Sequence, residues 1–361
     1  MSAPLVVLAA GGTGGHVFPA EALAGALAAR GFRLALVTDD RGTRYGGRLG
    51  ALDTHRLPIR KMTGGFFRRF VGALSLVPGY LAARGLLARL APAAVVGFGG
   101  YPSLPTIAAA RKHFRTAIHE QNAVLGRVNR LVAAQVDAIA TSFADTRGAD
   151  AKATLVGNPV RAEVAALRAE TFVVPAIGET LRILVTGGSQ GAAVFGRVLP
   201  AAIALLSPAQ RARIAITQQS RQEDAETVRT SYRTLGYAAE VEPFFADLPR
   251  RIANAHLVIA RAGASTVAEL ACIGRPSLLV PLPSATDDHQ TANARALANA
   301  GGTWLVPEGE FTPADLAARF AALLEDPRPL AGLAAGARSF GRPDAGDRLA
   351  DLVQRLAEGK A

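Results

Sequence analysis

The sequence predicts an α/β protein built from two doubly wound, Rossmann-like halves of similar size. Three observations carry this. Residues 5–10 (LVVLAA) form a short apolar run that ends in Gly11-Gly12-Thr13-Gly14-Gly15. A second run, Leu181–Thr186 (LRILVT), ends in Gly187-Gly188-Ser189-Gln190-Gly191, so that Gly11 and Gly187 lie 176 residues apart. The chain has 361 residues, half of them hydrophobic, and at roughly 100–200 residues per domain that length suits two domains.

The elements follow in order. An unbroken apolar run bounded by glycine reads as a buried parallel strand, which places one at residues 5–10. A helical pattern over 18–30 and a strand at 34–38 complete a β-loop-α-β unit. Strands are expected at 94–97, 116–118 and 138–140, with a helix over 124–134. The pattern restarts at 181–186, and 213–217, 256–260 and 277–281 supply further strands. Residues 161–180 read as the linker, and a helix over 344–356 closes the chain.

Composition excludes disordered, collagen-like and disulfide-scaffold classes. Cys272 is the sole cysteine, so no internal disulfide is possible, which fits a reducing compartment. The first residues lack the basic region of a signal peptide. No apolar stretch reaches the roughly 20 residues of a spanning helix, so a soluble or peripheral protein is expected. Of 40 basic residues, 36 are arginine and the net charge is +11. Arginine suits phosphate and carboxylate, although a GC-rich genome produces the same bias. The position of the charge says more. From Thr54 to His119 there is no acid, and Arg56, Arg60, Lys61, Arg68, Arg69, Arg84, Arg89, Arg111, Lys112 and Arg115 give that stretch +10. Within it, apolar residues including Phe66, Phe67, Phe70, Leu74, Leu76 and Leu81 lie among the arginines. Apolar groups flanked by arginines suit an interfacial element on anionic lipid; packing into the first domain's core is the alternative.

Residues 11–16 (GGTGGH) allow a tight strand-to-helix turn and close ligand approach, and the helix start that follows offers free N–H groups to an anion or a sugar. The loop is neither a dinucleotide fingerprint nor a Walker loop; a bare turn is the alternative. His16, at the helix start, can serve as a neutral imidazole that accepts a hydroxyl proton, or can simply hydrogen-bond nearby backbone. Residues 187–192 (GGSQGA) repeat the design. In 260–270 (ARAGASTVAEL), Ser265 or Thr266 can cap a helix whose amides face a pyrophosphate, and Glu269 can accept ribose hydroxyls. Equally, Thr266 and Glu269 fit a capping box. Residues 283–294 (PSATDDHQTANA) and 119–122 (HEQN) follow strands at their C-terminal ends, where open α/β sheets bind ligands. Tyr101, His119, Glu120, Gln121 and Asn122 are thereby expected around the first crevice. No metal-ligand spacing and no D-x-D occurs, so no catalytic divalent ion is required.

Taken in order, GGTGGHVFPA (11–20), GFGGYPSLPT (97–106), HEQNAVLGRVNR (119–130), GNPVR (157–161), GGSQGA (187–192), RAGASTVAEL (261–270) and DDHQTANA (287–294) closely resemble the MurG family, the peptidoglycan N-acetylglucosaminyltransferases of glycosyltransferase family 28. The resemblance covers nearly the whole chain. It implies a GT-B fold with the site in a cleft between the domains. Residues 1–162 would be the acceptor and membrane-side domain and 163–341 the donor domain, with a last helix from about 342 to 361 packing back on the first. It implies metal-independent, inverting transfer of GlcNAc from UDP-GlcNAc to the C4 hydroxyl of MurNAc in undecaprenyl-diphospho-MurNAc-pentapeptide, without a cofactor. Carried over by motif, Thr13, Gly14, Gly15, Asn122, Arg161, Ser189, Phe245, Ala264, Ser265, Thr266, Val267, Ala268, Glu269 and Gln290 are donor-side contacts. Tyr101 is an acceptor-side contact, His16 the candidate base and Glu120 a second catalytic candidate. Partners would be UDP-GlcNAc, the lipid-linked acceptor, an anionic membrane surface on the cytoplasmic side and wall-synthesis or division proteins, and not nucleic acid. A UDP-GlcNAc 2-epimerase and a non-enzymatic anionic-membrane-binding protein are the alternatives.

Overall fold

The computed structural model describes residues 3–11, 14–39, 47–58, 76–101, 103–188 and 192–360. The chain divides into two units, Met1–Arg161 with Arg342–Ala361, and Ala162–Gly341.

Unit 1 holds a parallel sheet in the order β3-β2-β1-β4-β5-β6-β7. Its strands are β1 (Leu5–Ala9), β2 (Arg33–Asp39), β3 (Asp53–Leu57), β4 (Ala94–Gly97), β5 (Arg115–Glu120), β6 (Ala138–Thr141) and β7 (Ala153–Leu155). Because side chains alternate across a strand, β1 feeds two cores. Val6 and Leu8 face Leu23 and Leu27 of helix Gly14–Ala29, together with Leu349, Val353 and Leu356 of helix Ala345–Ala357. Leu5 and Val7 face the other side, with Leu86 and Leu87 of helix Leu76–Leu90 and Ile107 of helix Ser103–Ala110. Both cores are closed to water, so the β1 run needs no polar face. Arg30 ties the last helix down through Asp351 at 2.7 Å and Gln354 at 3.2 Å.

Unit 2 holds a second parallel sheet, β10-β9-β8-β11-β12-β13. Here the strands are β8 (Leu181–Thr186), β9 (Ile214–Gln219), β10 (Glu240–Glu242), β11 (Leu257–Ala260), β12 (Ser277–Leu279) and β13 (Thr303–Leu305). Ile183, Val185 and Ile259 pack on Phe195 and Leu199 of helix Ala193–Leu205 and on Phe320 of helix Pro313–Glu325. In both sheets the strand order reverses beside the first strand of the unit, between β1 and β4 and between β8 and β11.

Several local expectations are corrected. The first helix starts at Gly14 rather than Phe18. β5 runs through Glu120 instead of stopping at Ile118, so His119 and Glu120 belong to the strand. The helix expected over 124–134 is the shorter Arg127–Val132 with a 3-10 turn after it. Pro78 sits in the first turn of helix Leu76–Leu90, where its missing N–H costs nothing. β3, β7, β10 and β13 were not expected.

Candidate active site

In open parallel sheets, ligands bind beyond the carboxyl ends of the strands where the order reverses. In unit 1 that point lies between β1 and β4. It gathers the start of helix Gly14–Ala29, the turn Phe98–Tyr101 after β4, and the segment His119–Asn122 that ends β5. Gly14 and Gly15 form the first turn of the helix, and His16 follows. Thr13, Ser189, Phe66, Phe67, Arg68, Arg69 and Leu74 lie outside the described residues.

His16 is partly exposed, and its Nδ1 lies 3.2 Å from Gln121 Oε1. The contact is thus with a side chain of β5's end rather than with neighbouring backbone. Gly99 makes this approach possible. Its φ is +84°, and a Cβ there would lie 3.2 Å from His16 Cε1. The amide nitrogen of Gln121 donates to Phe98 O at 3.0 Å and His119 O at 3.2 Å, and lies 3.2 Å from His119 Nδ1. His119 is fully buried, and its Nε2 donates to Gly157 O at 3.1 Å. Burial, opposed by that carbonyl and helped by His16, lowers the His119 pKa to about 4. Ser142 Oγ lies 3.4 Å from the same nitrogen and donates to Glu120 O at 2.9 Å.

Glu120 is buried and fully engaged. Oε1 accepts from the backbone and side-chain nitrogens of Asn122 at 3.0 and 3.2 Å; Oε2 accepts from Gly126 N and Asn129 Nδ2, both at 2.8 Å. Four donors occupy its lone pairs. A carboxylate so held shapes the loop 120–129 and is poorly placed to take a substrate proton, so the expectation of a catalytic role is revised to an anchoring one. Asn122 is half-buried against it. Arg161 is also half-buried, its guanidinium 5.1 Å from the Phe18 ring centroid. Tyr101 packs partly against the second core.

Unit 2 repeats the plan. β8 ends at Gly187-Gly188, and β11 ends at Arg261-Ala262-Gly263, which leads into helix Ala264–Ile273. The N-cap is Gly263 and no side chain caps the helix. This corrects two expectations. Thr266 is the third helical residue, so it is not an N-cap, and no capping box links it to Glu269. Val267 donates its N–H to Gly263 O at 3.0 Å and buries its side chain, so it offers a ligand nothing. Ala268 follows it inside the helix. The groups left for an anion are the N–H donors of Ala264, Ser265 and Thr266, with the Ser265 hydroxyl buried and unpartnered beside them. Glu269, half-buried, stands one turn further along.

Helix His289–Asn299 clamps this turn. Gln290 Oε1 accepts from Ala262 N at 3.2 Å and Leu282 N at 3.0 Å, and Asn293 Nδ2 donates to Ala262 O at 3.1 Å. Arg261, which the sequence reading passed over, is buried. It donates to Val280 O and Pro281 O at 3.1 Å, pairs with Glu308, and lies 5.4 Å from the Phe195 ring centroid. It binds the ends of β11 and β12 together. The Phe245 ring is buried under Arg251, whose guanidinium is 4.2 Å from its centroid, so only its backbone is available to a ligand.

The N-terminal half matches the glycosyltransferase family 28 N-terminal domain over residues 6–141, and the C-terminal half matches the family 28 C-terminal domain over 182–349. The chain belongs to glycosyltransferase family 28. It is 55% identical over 358 residues to a Rhodospirillum centenum protein named UDP-N-acetylglucosamine–N-acetylmuramyl-(pentapeptide) pyrophosphoryl-undecaprenol N-acetylglucosamine transferase, covering 98% of this chain and 94% of that protein. The crystal structure of Acinetobacter baumannii MurG superposes with a TM-score of 0.80 at 30% identity, over 98% of this chain and 99% of that one. The family and this neighbour establish the GT-B fold. A candidate UDP-N-acetylglucosamine 2-epimerase of Listeria monocytogenes superposes at TM-score 0.69 with 17% identity, over 99% and 98% of the two chains. At that identity the likeness is one of fold alone.

Proposed function

We propose that this chain transfers GlcNAc from UDP-GlcNAc to the C4 hydroxyl of MurNAc in undecaprenyl-diphospho-MurNAc-pentapeptide, with inversion at the anomeric carbon. The observation that carries the reading is the 55% identity, along nearly the whole chain, to the Rhodospirillum centenum transferase of that name. The local chemistry supports it. In unit 1, His16 takes the proton of the C4 hydroxyl as its oxygen bonds to the sugar C1. The bond from C1 to the phosphate oxygen breaks, and its electron pair leaves with UDP. In unit 2, the uncapped start of helix Ala264–Ile273 faces the negative charge that develops on the diphosphate, where oriented N–H donors act without reorganising. Glu269 receives the ribose hydroxyls, the Phe245 backbone the uracil and the Gln290 amide a GlcNAc hydroxyl. Gly14, Gly15, Tyr101, Asn122 and Arg161 complete the contacts.

The lipid-linked acceptor brings the protein to the cytoplasmic face of the plasma membrane as a peripheral enzyme. Among the described residues no helix is long and apolar enough to cross a membrane. Helix Leu76–Leu90 supports surface docking instead. Gly79, Ala83, Leu86 and Leu87 face the core, while Val77 and Leu81, each 59% exposed, share the outer stripe with Arg84. Apolar and basic groups together on one face suit an anionic lipid surface.

Two measurements test the reading. UDP release from UDP-GlcNAc should require the lipid-linked acceptor; turnover without acceptor, yielding an epimerised sugar nucleotide, would reject it. Reversing Arg68 and Arg69 to Glu should release the protein from anionic vesicles and spare activity on a short-chain soluble acceptor. Unchanged co-sedimentation would remove this segment from the docking surface.

A further inference from the structure

The hydrogen bonds around Gln121 run in one direction only. Two of the acceptors at its amide nitrogen are backbone carbonyls, Phe98 O at 3.0 Å and His119 O at 3.2 Å. A carbonyl accepts and never donates. The NH2 must therefore sit on that side, because inverting the amide would set Oε1 against two carbonyl oxygens. The amide oxygen then faces His16 Nδ1 at 3.2 Å. An amide oxygen also only accepts, so His16 Nδ1 must carry a proton. His119 is set in the same way: its Nε2 donates to Gly157 O at 3.1 Å, so in the neutral ring Nδ1 carries no hydrogen, and it faces the Gln121 amide nitrogen at 3.2 Å. Gly157, at φ +94°, admits no Cβ without crowding Arg342 and Ala345, so this terminal acceptor is itself fixed.

From this geometry we propose that Gln121 is a positioning residue that fixes His16 as the Nδ1–H tautomer and so leaves its Nε2 lone pair as the proton acceptor. The His16 N–H is thus aimed at a fixed acceptor, the Gln121 oxygen, because the nitrogen of the same amide is tied to Phe98 O and His119 O. As His16 becomes an imidazolium it keeps the same donor on the same oxygen, so taking the proton requires no rearrangement. The arrangement does with a neutral amide what a carboxylate does behind the histidine of a hydrolase triad. His119 and Gln121 are both buried, and burial keeps the His119 ring neutral through the working pH range, so the alignment does not reverse with pH. What Nε2 does with its lone pair rests on the glycosyl-transfer reading; which nitrogen holds the proton does not.

The experiment uses the full chain with 15N-labelled histidine. At pH 8, long-range proton–nitrogen spectra assigned with His16→Ala should show His16 as the Nδ1–H tautomer. An Nε2–H tautomer overturns the proposal, and this needs no altered Gln121. Gln121→Met, near in shape but without donor or acceptor, should lose that tautomer preference. Its kcat should fall on the order of 10–10²-fold, part of what a general base contributes. KM for both substrates and affinity for UDP should stay within about threefold, the mark of a loss felt only in the transition state. A variant that binds UDP and keeps its kcat, or that loses only KM, refutes the positioning role. If it does not fold, the spectrum of the parent chain decides alone. If the parent binds UDP but transfers no sugar, the activity reading fails while the tautomer is still read.

Discussion

Acidification should loosen unit 1 through one buried ring. His119 sits on β5 with both nitrogens committed, and burial moves its pKa from the usual 6.5 to about 4. In the unfolded chain the ring protonates near 6.5; in the fold it does so only near 4. Between those values the unfolded chain binds more protons, so acid favours unfolding. The stability that depends on a neutral His119 is complete above pH 6.5 and is lost as the pH falls toward 4. At about 1.4 kcal/mol per unit, the gap of about 2.5 units corresponds to about 3 kcal/mol. From pH 7 to pH 5 the loss is about 2 kcal/mol, close to a 30-fold change in the opening equilibrium. His256, also lowered to about 4 by burial beside Arg182, acts in the same direction in unit 2, so a global melt would mix the two. Amide exchange of the β5 residues at pH 7 and pH 5, corrected for intrinsic rates, isolates unit 1. His119→Gln, which keeps a donor for Gly157 but does not titrate, should show no such change. A His119 ring proton that titrates near 6.5 in the folded chain would refute the reasoning.

Three further outcomes are expected. His16→Ala should lower turnover by about 10²–10⁴ with UDP affinity little changed, as removal of a general base does; near-normal turnover takes His16 out of the mechanism. Glu269→Gln should weaken UDP binding in calorimetry; unchanged affinity would remove Glu269 from the ribose contacts. Transfer should persist in excess chelator; activity abolished by chelation and restored by Mg²⁺ or Mn²⁺ would count against diphosphate stabilisation by helix amides alone.

The strands at the centre of each sheet were readable because they are buried on both faces. β1 and β4 are unbroken apolar runs closed by glycine, and β8 is one apart from Arg182 near its start and Thr186 at its end, so little outside the run is needed to recognise them. β3 (DTHRL) and β10 (EVE) are short, polar edge strands, held in place by pairing with β2 and β9. No local pattern announces such a strand. The end of β5 was misread because His119 and Glu120 look like loop residues. They remain extended and buried because Gly157, Asn122, Gly126 and Asn129 satisfy their polar atoms. The Thr266–Glu269 spacing imitates a capping box, but Gly263 starts the helix three residues earlier. At the site, the residue types in the glycine loops and in HEQN were legible. The division of labour within HEQN was not, because it depends on which carbonyls surround each side chain. Arg261 carried no local signal, since its partners Val280, Pro281 and Glu308 come from later segments.

Unit 1 is discontinuous in the chain, and that sets an order on synthesis. Its first core is closed by Leu349, Val353 and Leu356, which are translated only after the whole of unit 2. At about 5–20 residues per second, the 180 residues of unit 2 occupy the ribosome for roughly ten to forty seconds. Through that interval the faces of Leu23, Leu27 and Val96 that await the last helix stay open to water or to a chaperone. The half of the protein that is made first is therefore completed last, and a chain stopped between Gly341 and Leu349 has all of unit 2 but lacks the side chains that close the first core of unit 1.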